Sequence, residues 1–326
     1  MSSTQHPAAA VSAAVPEIAA SIVICTHRRP ELLGACLDSL LGQRAGGGSP
    51  ALAGETPGAH EILVIDNSPL AEGRPVVESR QVAFALRGVP LRYILEERPG
   101  VGFARNRGVV EAAGALIAFI DDDERACGGW LELLLEPFHR LGDAVDIVAG
   151  EVEPDFGTLS RPDWLADDMM HLFSCRWGWD SEARFLRETE WFGEGNCAFR
   201  KRLMAARSFP TDLGRKGDGL LANEGMVFME MRSAGAATYY VPAATVSHLI
   251  HPDRLNRRWL MRRMFYQGVS NRLMQRHYGV KEQRWDFNVN LAKLADIDVE
   301  TLDGESLRAL IRLYYQLGYA SAHAMN

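Results

Sequence analysis

The chain has 326 residues, 47% apolar and 24% charged, with a formal net charge of −7. That length holds one large core, with room for an appendage, and the acidic balance argues against wholesale nucleic-acid binding. The five cysteines, Cys25, Cys36, Cys127, Cys175 and Cys197, are odd in number and lack Cys-x-x-Cys spacing, which reads as reduced cytoplasmic thiols and not as a disulfide frame or zinc site.

Residues 1–19 are Ala-rich, have no basic leader and are interrupted by Pro16 and Glu17, so they read as a disordered tail and a poor signal peptide. No run of about 18 uncharged apolar residues occurs, so no membrane-spanning helix is expected. The short apolar run 21–25 is a first buried strand. Thr26, His27, Arg28 and Arg29 form a polar loop, and Pro30 opens a helix carrying Leu32, Leu33, Cys36, Leu37, Leu40 and Leu41 at helical spacing. Residues 44–60 are rich in Gly, Pro and small side chains and read as a loop. A second strand at 62–65 ends in Asp66 and Asn67, and a helix over 76–86 and a strand at 91–95 follow. Arg98, Pro99, Gly100, Val101 and Gly102 then open a helix to about 113. Helix N-termini suit phosphate, although this spacing does not match the dinucleotide fingerprint.

The apolar run 115–120 ends abruptly in Asp121, Asp122, Asp123 and Glu124. Strand ends on an open α/β sheet are where ligands bind. Adjacent carboxylates repel, and a hard divalent cation shared with phosphate oxygens would offset that charge. A solvated turn whose Asp caps the next helix is the competing reading.

A helix over 129–141 and a strand at 147–149 come next. The stretch 151–191 mixes Trp, Phe and Asp irregularly and reads as secondary core. Residues 191–196 form a Gly-flanked loop feeding a helix that begins near Phe199, and 212–221 is a further loop. Asn223 caps a helix with Glu224, Phe228, Met231 and Arg232 that ends at Gly235; a strand at 238–241 follows, with His248 just beyond it. Arg254, Arg257, Arg258, Arg262 and Arg263 alternate with apolar residues in a basic helix. That helix suits either an anionic membrane surface or packing on the main domain with its arginines paired to acids. Residues 291–323 are helical by pattern.

In this order and spacing, several segments resemble glycosyltransferase family 2, the large inverting family of GT-A-type fold. They are 22–28, 62–66, 98–108, 121–123, 193–200, the Gly214 to Gly217 loop before Glu224, and Val246, Ser247 and His248 before the basic helix. The resemblance covers about 21–267, and 213–267 looks most like bacterial enzymes of surface polysaccharide and glycolipid synthesis.

It implies an α/β, Rossmann-like open mixed sheet flanked by helices, with a C-terminal helical extension. The implied parts are a tail at 1–19, a GT-A-type domain at 20–250 and a helical extension at 251–326. Within that domain, 20–125 is the nucleotide-sugar half and 126–250 the acceptor half. The implied donor is a UDP-, GDP- or dTDP-sugar and the implied acceptor a saccharide or lipid-linked saccharide, used in the cytoplasm or at the inner membrane face. Thr26, Arg28 and Asp66 would meet the base and ribose, and Asp121 and Asp122 the donor. Asp123 would bind Mn²⁺ or Mg²⁺, with His248 completing that shell or serving as a hydrogen-bonded rim histidine. Arg105 and Asn106 would position the donor or brace the Asp cluster, a salt bridge being the alternative for Arg105. Gly193, Glu194, Gly195 and Asn196 would form an acceptor loop. The family's acidic pair falls at Glu224 and Gly225, so the second acid is missing. Glu224 is the expected base; a substitute such as Glu194 or Asp218, or an inactive nucleotide-sugar-binding scaffold, are the alternatives.

Overall fold

A computed structural model describes residues 18–43, 59–177, 179, 181–214, 225–278 and 297–322. Residues 1–17 of the expected tail, 44–58 of the expected 44–60 loop, Asp218, Glu224 and 291–296 lie outside the described residues; Ile18 and Ala19, expected in the tail, open the first strand, and Ala59 and His60, expected in the loop, open the second.

Among the described residues nine strands form one mixed sheet. They are β1 (Ile18–Thr26), β2 (Ala59–Asp66), β3 (Leu91–Leu95), β4 (Leu116–Phe119), β5 (Glu124–Ala126), β6 (Ile147–Asp155), β7 (Arg184–Phe185), β8 (Cys197–Arg200) and β9 (Thr238–Leu249). The order is β3-β2-β1-β4-β8-β6-β9-β5, with β7 also on β9. The first four strands are parallel, and β8 runs antiparallel to both β4 and β6. The chain therefore winds outward from β1 in both directions, which opens a crevice beyond the C-terminal ends of β1 and β4.

Helices α1 (Pro30–Leu41), α2 (Gly73–Ala85) and α4 (Trp130–Arg140) cover one face, and α3 (Val101–Glu111) and α5 (Met226–Ser233) the other. Alternation along β1 explains the two cores. Ile22 and Ile24 meet Leu33, Leu37 and Val77, while Val23 meets Ala104 and Val109. Burial on both faces is why these strands read as continuous apolar runs. Each fully buried leucine of α1 contributes about 1.5–3 kcal/mol.

Two elements differ from the sequence reading. Residues near Phe199 form strand β8, not a helix; a short 3₁₀ turn (Lys201–Met204) follows. Ala198 is register-paired with Ala118 on one side and Val148 on the other, so two ladders outweigh local helix propensity. Strand β9 does not stop near 241 but runs to Leu249, carrying His248 inside it. It pairs with β6 across a register shift between Gly150 and Val152, the bend by which a long strand re-aims its far end.

The C-terminal helices α6 (Arg257–Tyr278) and α7 (Gly304–Ser321) pack on each other. A Cβ on Gly268 would sit 2.0 Å from the Tyr315 carbonyl oxygen, and one on Gly318 1.9 Å from that of Phe265, so the helix backbones touch where the glycines meet. At the start of α6, Trp259 stacks on Phe173 with centroids 5.6 Å apart. Arg257 and Arg258 reach Glu300 at 3.8 and 3.3 Å. These contacts are the packing arrangement that the basic helix allows. No described helix is long and apolar enough to cross a membrane.

Candidate active site

The Asp cluster sits at the end of β4, where β5 turns back to pair with β9. Glu124 is register-paired with His248, and the Leu249 amide donates to the Asp123 carbonyl at 2.9 Å. This pairing brings His248 to the cluster from far along the chain: its Nε2 lies 3.6 Å from Asp123 Oδ2. Arg29, at the end of the loop after β1, donates from one Nη1 to Asp122 Oδ1 at 3.0 Å and to Asp123 Oδ2 at 3.1 Å. Arg254 approaches Asp123 Oδ2 at 3.8 Å. Thr26 Oγ1 donates to Asp122 Oδ2 at 2.7 Å.

Environment separates the two acids. Burial, reinforced by the Asp123 charge, raises Asp122 to about 7, against the pull of Arg29 and Thr26. Burial also pushes Asp123 upward, but His248, Arg29 and Arg254 outweigh it and hold that carboxyl well below the usual range. Burial raises Glu124 well above its ordinary value, with Asp121 adding to the effect.

The residues fit a divalent cation. A guanidinium nitrogen already occupies the point where Asp122 and Asp123 converge, so a cation is what their geometry accommodates. The His248 ring is held by its packing against Cys175. The buried Cys175 thiol donates to the Phe173 carbonyl at 3.4 Å, and its sulfur lies 3.4 Å from His248 Nδ1. The Cys175 contact engages Nδ1, which leaves Nε2 as the ring nitrogen turned toward Asp123. Among the described residues no group of three or more His, Cys, Asp or Glu side chains is placed to hold a metal ion; Mg²⁺ can be held by one or two protein carboxylates with phosphate oxygens completing its shell.

Arg105 forms a second centre. It is 3% exposed and lies against the Phe119 and Phe209 rings, 5.6 and 5.7 Å from their centroids. Its Nη1 meets Glu194 Oε2 at 3.1 Å and its Nη2 meets Asp121 Oδ1 at 3.6 Å. The salt-bridge alternative for Arg105 is therefore present, to Glu194 and to Asp121. The 193–196 loop passes directly against Asp121: a Cβ on Gly195 would lie 2.7 Å from Asp121 Oδ2 and 2.8 Å from Glu124 Oε2.

Other expected site residues face inward. Asp66 is fully buried and accepts from the Ser68 and Gly73 amides, both at 2.8 Å, and from Tyr93 Oη at 3.0 Å. Asn106 exchanges both side-chain bonds with the Phe209 backbone, at 2.9 and 2.8 Å, and ties α3 to that segment. Asn196 is fully buried and holds Trp130, Glu151 and Ala244 together. Arg28 sits at φ 54° with its amide donating to Ser68 Oγ, a sparsely populated backbone state of the kind that clusters at binding loops.

The sequence reading assigned no role to Arg29 or Cys175. Arg29 had a signal, since it follows Thr26 in the loop after the first strand. Cys175 had none, because nothing local marks a thiol that meets a histidine 73 positions away.

The chain is similar to several known proteins. A glucosyl-dolichyl phosphate glucuronosyltransferase of Haloferax volcanii is 30% identical over 186 residues, 56% of this chain and 58% of that protein. The matched region is thus under two thirds of that relative's length. The succinoglycan biosynthesis protein ExoM of Rhizobium meliloti is 26% identical over 281 residues, 83% of this chain and 80% of that protein. Among solved structures, the mannosyltransferase PcManGT of Pyrobaculum calidifontis, in complex with GDP-Man and Mn²⁺, superposes with a TM-score of 0.55 at 16% identity. It covers 95% of this chain and 73% of that one, a likeness of fold. The family description "Glycosyl transferase family 2" matches residues 21–208, more than half of the chain. The chain belongs to glycosyl transferase family 2.

Proposed function

We propose that this protein is an inverting, metal-dependent glycosyltransferase. It moves a sugar from a nucleotide-sugar donor to a saccharide or lipid-linked acceptor in surface polysaccharide or glycolipid synthesis. The carrying observation is the convergence of Asp122, Asp123 and His248 at the end of β4, in the crevice opened by the sheet's switch point. The relatives named for glucuronosyl transfer and succinoglycan synthesis support the reaction class, and the neighbour holding GDP-Man and Mn²⁺ supports the donor type and metal.

In this reading Asp123 and His248 hold the Mn²⁺ or Mg²⁺. The metal supplies Lewis-acid neutralisation of charge on the departing diphosphate. Thr26, Arg28 and Asp66 belong to the end of the sheet that receives base and ribose. Asp66 acts there by fixing the turn after β2, through the bonds it accepts from Ser68 and Gly73. Arg29 and Arg254, which pair with these carboxylates, would turn to the donor diphosphate once a bound cation neutralised the acids, since a cationic side chain bonds most strongly to a charged acceptor. Asp121, beside Arg105, faces the ribose and transferred sugar. The reaction takes place in the cytoplasm. A lipid-linked acceptor would bring the protein to the inner membrane face, with the exposed Arg258 and Arg262 of the 254–263 stretch as the contact.

Calorimetric titration with UDP, GDP and dTDP, each with Mn²⁺ and with EDTA, tests the reading. One nucleotide should bind tightly with Mn²⁺ and at least tenfold more weakly with EDTA, and Asp123→Asn should abolish the metal dependence with the fold intact. Equal binding with and without metal removes the metal assignment. No binding of any nucleotide removes the transferase reading.

A further inference from the structure

We propose that Glu194 is the catalytic base of the transfer, seated in a space kept open by Gly225. The inference rests on the glycosyltransferase reading above and goes beyond it by naming the group that activates the acceptor.

Single displacement with inversion needs a base positioned to receive the acceptor's proton. The first observation concerns Gly225, at the start of α5. A Cβ there would fall 1.7 Å from Glu194 Oε1, 1.9 Å from its Cδ and 2.6 Å from its Cγ. The Glu194 carboxylate thus fills the volume into which any side chain at 225 would project. Residues 31 positions apart in sequence share one site, and only glycine at the second lets the acid of the first enter it.

The second observation is how the carboxylate is held. Arg105 Nη1 meets Oε2 at 3.1 Å, and the same guanidinium reaches Asp121. The backbone beneath it is pinned. The Asn196 amide donates to the Gly193 carbonyl at 3.1 Å, Cys197 Sγ donates to the Glu194 carbonyl at 3.4 Å, and Asn196 is locked by its own side-chain bonds. A carboxylate on such a support keeps its geometry through a reaction. The third is access: the Glu194 side chain is 19% exposed, so it sits inside the site yet reaches solvent.

In the step, the acceptor hydroxyl gives its proton to the Glu194 carboxylate while its oxygen bonds to the anomeric carbon. The bond from that carbon to the diphosphate oxygen breaks, and its electron pair leaves with the nucleoside diphosphate. The proton then passes from Glu194 to solvent.

The test uses the full chain with Mn²⁺ and UDP-, GDP- and dTDP-hexoses. Release of nucleoside diphosphate is measured with water as acceptor, and nucleotide affinity is measured calorimetrically in parallel. Glu194→Gln should lower turnover at saturating donor by about 100-fold or more, with nucleotide affinity within about threefold of wild type. Formate should restore part of the turnover of Glu194→Ala, which it would not do for a purely structural residue. Gly225→Asp should lose activity as Glu194→Gln does, because the added carboxylate displaces Glu194. If Glu194→Gln stays within threefold of wild type while Glu224→Gln abolishes turnover, Glu224 is the base and the proposal fails. If Glu194→Gln loses nucleotide binding along with turnover and formate rescues nothing, the residue is structural and the proposal fails. If the wild-type chain neither binds nucleotide nor turns over any donor, the transferase reading falls first and the proposal with it.

Discussion

Replacing Asn196 by Ala should cost more stability than an ordinary loop substitution, by an amount the structure allows to be worked out. The side chain is fully buried. Its Oδ1 accepts from Trp130 Nε1 at 2.7 Å, and its Nδ2 donates to the Glu151 carbonyl at 2.7 Å and the Ala244 carbonyl at 2.8 Å. Truncation orphans the indole N–H of Trp130, a side chain with no exposure, at a cost of about 1–3 kcal/mol. The two carbonyl bonds add about 0.5–1 kcal/mol each, less for Glu151, whose bond is only part-buried. The sum is about 3 kcal/mol. Asn196→Asp is the diagnostic companion. It keeps an acceptor for Trp130 but turns a carboxylate toward two carbonyl oxygens, so it should cost more than Ala despite being nearly isosteric. Urea unfolding reports both through the midpoint at constant slope. A loss under about 1 kcal/mol for Ala, or a milder loss for Asp than for Ala, would refute the reasoning.

Two further predictions follow from the cluster. Cys175→Ala should leave the fold unchanged and weaken Mn²⁺ binding about tenfold, because the sulfur that orients the His248 ring is lost; unaltered Mn²⁺ affinity by titration would show that the thiol only fills space. The second concerns pH. Asp122 is raised to about 7 in the fold, so the folded state binds its proton more tightly than the unfolded one. The stabilisation this gives is complete below the unfolded value near 4 and fades as pH rises through about 7. In EDTA, Asp122→Asn should therefore gain stability relative to wild type between pH 5 and 7.5. Comparing the two proteins cancels opposing groups such as His60, which burial lowers. A difference in urea midpoint that is flat across that window, or that falls, would mean that Asp122 titrates normally.

Much of the stretch from β1 to β4 was legible because its signals are local. The runs 22–25, 62–65 and 115–120 are apolar on both faces, and a strand covered on both sides needs just that pattern. Pro30 and the leucines after it mark α1, and three carboxylates after an apolar run mark a strand end carrying chemistry. The stretch from β5 to β9 was less legible because its elements are made by pairing. Cys197, Ala198 and Phe199 have no strand signature stronger than a helical one; they are extended because β4 and β6 supply hydrogen bonds on both edges.

The sequence by itself determined that an open α/β sheet with acids at its strand ends would form, since alternation, glycine placement and charge act over a few residues. Only the tertiary structure decided what those acids meet. Asn196 turned inward because the indole of Trp130 and two carbonyls lie around it. Asp123 met His248 because β5 and β9 are in register at Glu124. Glu194 met Gly225 because the loop before β8 and the start of α5 converge in space. Each is a contact between chain segments far apart in sequence, and such contacts are set by how layers pack, which no local pattern encodes.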